Sequence, residues 1–297
     1  MFDSRPRLLR YGLEGAAVIV AYGLFRALPL DAASSLGGWL GRHVGPRLGM
    51  SRLAAHNLRL IFPEKPEPEI REIVRGMWDN LARVLAEYPH LPEFVDGPAR
   101  DRIDLVGAEH VDKALAEGRM LLFVSAHYGN WEVAPALALH RGLPIHLVYR
   151  SPNNPVADWL VRRIRRHTAV GLLRKSQLGT RQMVKVVRDG GVLGILADQK
   201  LSEGVSVPFL GRPAMTPTVV ADMALKYGAL PIPVRVERTH GSRFRVTVHR
   251  PLEFESSGDR ARDVREAVRR MNDVIGAWIR ERPEQWLWLH RRWPESA

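Results

Sequence analysis

Apolar residues recur along this chain in three patterns. Over 68–88, Ile70, Ile73, Val74, Met77, Leu81, Val84 and Leu85 return at helical spacing, which predicts an amphipathic helix packed on the core. The stretch 261–280 repeats that period with arginines on its polar face. Between them, short continuous apolar runs alternate with longer helical stretches, as in a largely parallel α/β sheet. Strands are predicted over 120–124, 144–148 and 192–197, followed by a strand pair over 231–236 and 244–248. The expected fold class is α/β: one domain, residues 31–297, with a central mixed, largely parallel sheet flanked by helices.

The third pattern lies at the N-terminus. Arg5, Arg7 and Arg10 precede an apolar stretch, 11–30, interrupted by Glu14 and Arg26. A spanning helix needs about 20 mostly apolar residues, and the uncharged part, 15–25, is shorter. A cleaved signal peptide and a soluble core helix are weighed against an uncleaved anchor. The expectation is the anchor, residues 1–30, short-spanning or lying in the interface with flanking arginines snorkelling to headgroups. Next come a run rich in Gly and small residues, 32–49, and a turn, Phe62-Pro63-Glu64-Lys65-Pro66, that ends one helix and starts another. There is no internal repeat or low-complexity segment.

With 297 residues and 45% hydrophobic content, the chain can bury one large core. It has no cysteine, which excludes a disulfide, a thiolate metal site and a cysteinyl acyl-enzyme. The formal charge of +12 and pI near 10.6 favour anionic partners: phospholipid headgroups, phosphorylated substrates, acidic proteins or nucleic acid. Charge alone does not choose among them.

Chemistry enters at the strand ends. Three predicted strands run into polar residues: Ser125-Ala-His127, then Arg150, then Asp198-Gln199-Lys200. In an open parallel sheet such ends gather at one edge, where ligands bind. His127 opens an H-x4-E pattern ending at Glu132. From 11 His and 32 acidic residues about one such pair arises by chance, and a second exists at His290 and Glu295. Context separates them, because His127 follows a buried strand and precedes a helix through Gly129. The bland alternative is a hydrogen-bonded core histidine. A functional His127 would take a proton from an attacking hydroxyl, with Glu132 or Asp198 fixing its tautomer. No Gly-x-Ser-x-Gly elbow or Walker loop is present. Arginines 162, 163, 165 and 166 read mainly as a solvated basic face, one or two of which reach a phosphate. Arg174, Lys175, Arg181 and Lys200 extend the patch.

These motifs resemble the lipid A biosynthesis late acyltransferases, within a larger group that includes phosphatidylinositol-mannoside acyltransferases. The likeness covers nearly the whole chain: Leu36-Gly-Gly-Trp-Leu-Gly41, Asn57-Leu58, Phe62-Pro63-Glu64, Trp78-Asp-Asn80-Leu81, His127-Tyr-Gly-Asn-Trp-Glu132 and Tyr149-Arg150-Ser-Pro-Asn-Asn154-Pro155. It continues through Asp158-Trp159, Ala197-Asp198-Gln199, Val207-Pro-Phe-Leu-Gly-Arg-Pro213 with Thr216, and Pro283-Glu-Gln-Trp286-Leu-Trp288-Leu-His290-Arg291-Arg292. The resemblance implies a catalytic domain with His127 and Glu132 as the motif pair, Arg165 as the essential arginine and Asp198 as the downstream aspartate. Arg150 matches the family's tyrosine-arginine step, and the expected substrate-binding set is Arg150, Arg165, Asn130, Gln199 and Lys200. It further implies an acyl carrier protein as donor, an anionic glycolipid as acceptor, and an anchor on the cytoplasmic face of the inner membrane. No metal or other cofactor is expected.

The combined expectation is that His127 deprotonates a lipid hydroxyl, commonly the 3-hydroxyl of an acyl chain already on the disaccharide, for attack on a thioester. Backbone N–H groups near Gly129 and Asn130 would receive the oxyanion, and an apolar pocket of fixed depth would measure the acyl chain. An inositol mannoside, ornithine lipid or glycerol phosphate acceptor is the runner-up, although the Glu-Gly-Thr-Arg signature of glycerol-phosphate acyltransferases is absent. A basic membrane or nucleic-acid binder would account for the charge. It would not account for a His-acid motif at a strand end, so no nucleic-acid partner is expected.

Overall fold

The computed structural model describes residues 5–174 and 177–294. Its strands are β1 (Ile103–Val106), β2 (Leu121–Ser125), β3 (Ile145–Tyr149), β4 (Gly171–Arg174), β5 (Val192–Leu196), β6 (Val205–Phe209), β7 (Arg212–Thr216), β8 (Leu230–His240) and β9 (Arg243–Val248). Its helices are α1 (Arg5–Ala27), α2 (Leu30–Val44), α3 (Met50–Ile61), α4 (Glu67–Glu87), α5 (Glu93–Asp96), α6 (Glu109–Ala116), α7 (Val133–His140), α8 (Pro155–Arg165), α9 (Gln177–Arg188), α10 (Val219–Tyr227) and α11 (Arg260–Glu281).

The main sheet has the order β1-β9-β8-β2-β5-β3-β4, and β6 with β7 forms a separate hairpin. β8, β2, β5, β3 and β4 run parallel, β9 turns back antiparallel on β8, and β1 lies parallel to β9. The sheet is thus mixed and largely parallel, as the alternation of runs predicts. Both faces of β2 and β5 are covered. Phe123 and Val192 share a core with Val133 and Leu137 on one side, while Leu122 and Ile195 join Met183, Val220 and Val268 on the other. Burial on both faces is why these strands read as continuous apolar runs.

Four strands escaped the sequence reading. β1 and β4 are four-residue edge strands, too short to show a period. In the β6–β7 hairpin, Pro208 stands opposite Pro213, and proline argues against a strand in a sequence. Its two-residue turn holds Leu210 at φ 55° and Gly211 at φ 90°. The left-handed leucine is buried and its carbonyl accepts from Arg280 at 2.9 Å.

Among the described residues no helix is long and apolar enough to cross a membrane. α1 is instead fastened to the body. Asn154 caps α8 by accepting from Val156 N–H, and its amide donates to Tyr11 O at 2.9 Å and to Glu14 at 3.4 Å. Glu14, an interruption in the sequence pattern, is therefore part of the α1–α8 seam. The outer sides of α1 and α2 stay apolar and exposed: Leu13, Val20 and Leu24 on the first, Leu36, Trp39 and Leu40 on the second.

The small-residue run forms the inner face of α2, which lies close on α4. A Cβ on Gly41 would come within 2.2 Å of Trp78 O, and one on Gly37 within 2.6 Å of Ala86 Cβ. Replacing a helical glycine ordinarily gains about 0.5–1 kcal/mol. Here the obstacle is backbone, which cannot yield as a side-chain tip can. Gly41→Val is therefore expected to destabilise by about 1–3 kcal/mol, the range for overpacking, as measured by chemical denaturation.

Candidate active site

The sheet register brings the central pair together. Ser125 on β2 lies opposite Leu196 on β5, and Ala197 N–H donates to Ser125 O at 2.9 Å just beyond them. Two residues further along each chain stand His127 and Asp198, 71 positions apart in sequence. Asp198 is fully buried. Its Oδ1 accepts from His127 Nδ1 at 2.9 Å, and its Oδ2 from the His127 backbone N–H at 2.9 Å and Trp286 Nε1 at 2.8 Å. Burial alone would raise this carboxyl. Attraction to the His127 ring, with the donors from His127 and Trp286, outweighs burial and holds it well below the usual carboxylate range. An ionised Asp198 keeps the proton on Nδ1, so Nε2 carries the free lone pair. The Trp131 ring braces the imidazole edge-on at 5.1 Å, and Gln199 Nε2 lies 3.3 Å from His127 Nε2.

Glu132, the other carboxylate of the sequence reading, turns away from His127. It is buried at the start of α7, where it accepts from Tyr88 OH and Trp131 Nε1, each at 3.0 Å. Arg165 grips it from α8 through Nε at 3.1 Å and again through Nη2. Burial would raise the Glu132 carboxyl, and the Arg165 charge with these donors brings it below its ordinary value. Arg163 on α8 and Arg166 just beyond it are exposed, whereas Arg165 turns inward. The structure therefore couples His127 with Asp198, and Glu132 with Arg165.

A second buried ion pair frames the loop between them. Glu87 is inaccessible and accepts from Arg238 at 2.5 and 3.0 Å, Ser34 Oγ at 2.6 Å and Asn130 Nδ2 at 2.7 Å. Arg238 Nε donates to Asn80 Oδ1 at 3.0 Å, and Asn80 Nδ2 to Gly129 O at 2.9 Å. Asn130, expected to bind substrate, is fully buried here and also accepts from Glu132 N–H; it holds the loop. The expected oxyanion role of Gly129 N–H needs correction, since that group donates to Gln285 O at 3.0 Å. Gly129 has φ +58°, and a Cβ there would lie 1.9 Å from Val236 O, so only glycine fits. The tail completes the frame. Tyr128 bridges to Trp286, and Leu287 N–H donates to His127 O at 3.2 Å.

Sequence reasoning gave no role to Glu87, Tyr88, Arg238 or Gln285. A visible signal was charge in an apolar setting, since Glu87 closes the buried stripe of α4. Asn80 and Trp286 sat in quoted motifs without a partner to explain them.

His127 borders a cavity of about 570 Å³ lined also by Tyr149, Arg150, Met183, Gln199 and Val220. A narrower chamber of about 90 Å³ lies between the sheet and α7, walled by Phe123, Leu137, Ala138, Ile145, Leu147 and Val234. Val148, Arg165, Ile195 and Leu196 line both. Arg150, which lines the larger cavity, is exposed, and so are Lys200, Arg174 and Arg181; Lys175 and Glu295 lie outside the described residues. Among the described residues no cluster of His, Asp and Glu could hold a metal ion.

Removing one partner of a buried ion pair leaves an uncompensated charge. Arg165→Ala is expected to destabilise by about 3–5 kcal/mol, while Arg165→Met combined with Glu132→Leu recovers much of that loss. Thermal unfolding of the two variants beside the parent checks this.

The geometry can now be set beside known proteins. Residues 1–295 match the family described as bacterial lipid A biosynthesis acyltransferase. A lipid A biosynthesis acyltransferase of Haemophilus influenzae is 26% identical over 273 residues, covering 90% of this chain and 83% of that one. The lipid A biosynthesis lauroyltransferase of Escherichia coli is 28% identical over 245 residues, covering 82% and 78%. The phosphatidylinositol mannoside acyltransferase of Mycolicibacterium smegmatis is 24% identical over 277 residues, covering 91% and 88%. With the match running almost end to end through His127, Glu132, Arg165 and Asp198, this chain belongs to the bacterial lipid A biosynthesis acyltransferase family and is an acyltransferase.

Proposed function

We propose that the protein transfers a fatty acyl chain from a thioester on acyl carrier protein to a hydroxyl of a lipid A precursor, with His127 as general base. The observation that carries this reading is the buried Asp198–His127 couple, whose free Nε2 meets a cavity sharing a wall with an apolar chamber. A bound hydroxyl gives its proton to Nε2 as its oxygen attacks the thioester carbon. Collapse of the tetrahedral intermediate expels the carrier's thiolate, which takes that proton back. Asp198 stabilises the imidazolium between the two steps. The chamber takes the alkyl chain, and each CH₂ buried there contributes about 0.8 kcal/mol.

The exposed Arg150, Lys200, Arg174 and Arg181 suit both an acidic carrier protein and the phosphates of a glycolipid. Arg165 presents whatever of its fork Glu132 leaves to the same cavity. The protein works at the cytoplasmic face of the inner membrane, with the outer sides of α1 and α2 seated in the interface. Trp39, 57% exposed, suits that position because its ring is amphipathic. The mycobacterial relative, a phosphatidylinositol mannoside acyltransferase, makes a different lipid acceptor the second reading.

His127→Ala is expected to lower kcat about 10²- to 10⁴-fold with little change in KM. Asp198→Ala should also lower kcat, and the double variant should lose little beyond His127→Ala, because residues acting as a unit do not sum. Retention of full activity by folded His127→Ala overturns the base assignment. Mass spectrometry of total lipid from a deletion strain tests the acceptor: loss of one acyl chain from lipid A supports the first reading, loss from another lipid the second.

Membrane seating has its own test. Replacing Trp39 and Leu40 together by serine removes apolar area whose burial contributes about 1.5–3 kcal/mol per side chain. Partitioning onto phosphatidylglycerol-containing vesicles is expected to fall at least about tenfold, with the melting temperature unchanged. Unaltered sedimentation with vesicles would place the lipid contact elsewhere.

A further inference from the structure

We infer that the Gln199 carboxamide is a catalytic residue that donates its N–H to the oxyanion of the tetrahedral intermediate. The inference rests on the acyl-transfer reading above and concerns a step to which that reading assigns no side-chain donor. Around His127 the backbone N–H groups of residues 127–129 and two nearby side-chain donors are committed elsewhere. The His127 backbone N–H goes to Asp198 at 2.9 Å, Tyr128 N–H to Ala126 O at 2.7 Å, and Gly129 N–H to Gln285 O at 3.0 Å. Asn130 Nδ2 goes to Glu87 at 2.7 Å and Trp131 Nε1 to Glu132 at 3.0 Å.

Gln199 stands differently. Its side chain lines the cavity, and its Nε2 lies 3.3 Å from His127 Nε2, at the reacting end of the base. Because Asp198 holds the proton on Nδ1, Nε2 can only accept, so it is the NH₂ end of Gln199 that faces it. The backbone below is fixed, since the preceding residue is the buried Asp198. A hydroxyl arriving at Nε2 displaces the amide from the imidazole lone pair. The nearest new acceptor is then the carbonyl oxygen of the thioester under attack. As the hydroxyl oxygen bonds to the thioester carbon, the carbonyl π pair moves onto that oxygen and the hydroxyl proton moves to Nε2. The Gln199 N–H meets charge that exists only at that stage, and the bond is lost when the carbonyl re-forms and the thiolate leaves. A neutral donor is suited to this, because it gains most in the transition state and little in the ground state.

The test uses the full chain, acyl carrier protein carrying a C12 chain as donor, and a phosphorylated glucosamine disaccharide bearing 3-hydroxyacyl chains as acceptor. Gln199→Ala is expected to lower kcat about 10²- to 10³-fold, the range for loss of one oxyanion donor, with KM for both substrates within about threefold and the melting temperature unchanged. Gln199→Glu supplies the readout that a structural role would not move. Ionised, it cannot donate and repels the oxyanion; protonated, its O–H can donate. Its kcat relative to the parent should therefore rise as pH falls from 8 towards 5, while the Gln199→Ala ratio stays flat. Near-parental kcat in Gln199→Ala, a loss confined to KM, or a flat Gln199→Glu ratio each overturns the inference. His127→Ala is assayed alongside. If it is dead while Gln199→Ala is active, only the oxyanion assignment falls; if it is active, the transfer reading itself falls.

Discussion

Everything at this site depends on one buried carboxylate. Asp198 has no solvent, and an ion of that kind is tolerated in a protein interior only when donors surround it. Those donors come from two parts of the chain, the loop after β2, through both the ring and the backbone of His127, and the C-terminal tail, through Trp286, and they meet on Asp198 just past the end of β5. The same contacts that make the charge tolerable set the tautomer of His127. Stability and catalytic geometry are here one requirement, because an Asp198 without its donors would protonate and an imidazole without Asp198 would lose its orientation.

Two further buried ion pairs flank this centre. Glu132–Arg165 ties the loop to α8, and Glu87–Arg238 ties it to α4 and β8. Such pairs contribute little net stability against apolar replacements, yet they specify geometry, since each breaks if a partner moves. Between them the loop 127–132 has little freedom, down to a backbone turn at Gly129 that excludes any side chain. The H-x4-E spacing thus records two separate attachments of one loop. Its first residue faces the cavity and its last anchors α7 against α8.

Much of this was legible in the sequence, and the limits have physical causes. The inner strands were visible because β2, β5 and β8 are covered on both faces and read as apolar runs, while β9 alternates buried Phe244, Val246 and Val248 with polar residues. The convergence of His127 with Asp198 followed from parallel strand ends gathering at one edge. The choice between Glu132 and Asp198 was not visible. It turns on the register of β2 against β5, which pairing fixes and no local pattern encodes. The edge strands β1 and β4 were too short to read, and the prolines of β6 and β7 disguised a hairpin. Glu87 and Arg238, 151 positions apart, look like ordinary charges until the fold joins them. The apolar N-terminal stretch was visible as a surface apart from the core, while the purpose of Glu14 emerged only with α8 beside it.

The tail's place in the site has a consequence for the order in which the molecule comes into being. His127 and Asp198 are both translated well before Trp286, and the helices α1 and α2 earlier still. A nascent chain can therefore have most of its sheet laid down while the His127–Asp198 couple is unfinished. Until Gln285 pairs with Gly129 and Trp286 closes over Asp198, the loop lacks its hydrogen bonds to the tail and the carboxylate lacks one of its donors. The last turn of synthesis acts as a built-in delay: a stalled or truncated chain is unfinished as a catalyst even where most of its fold exists.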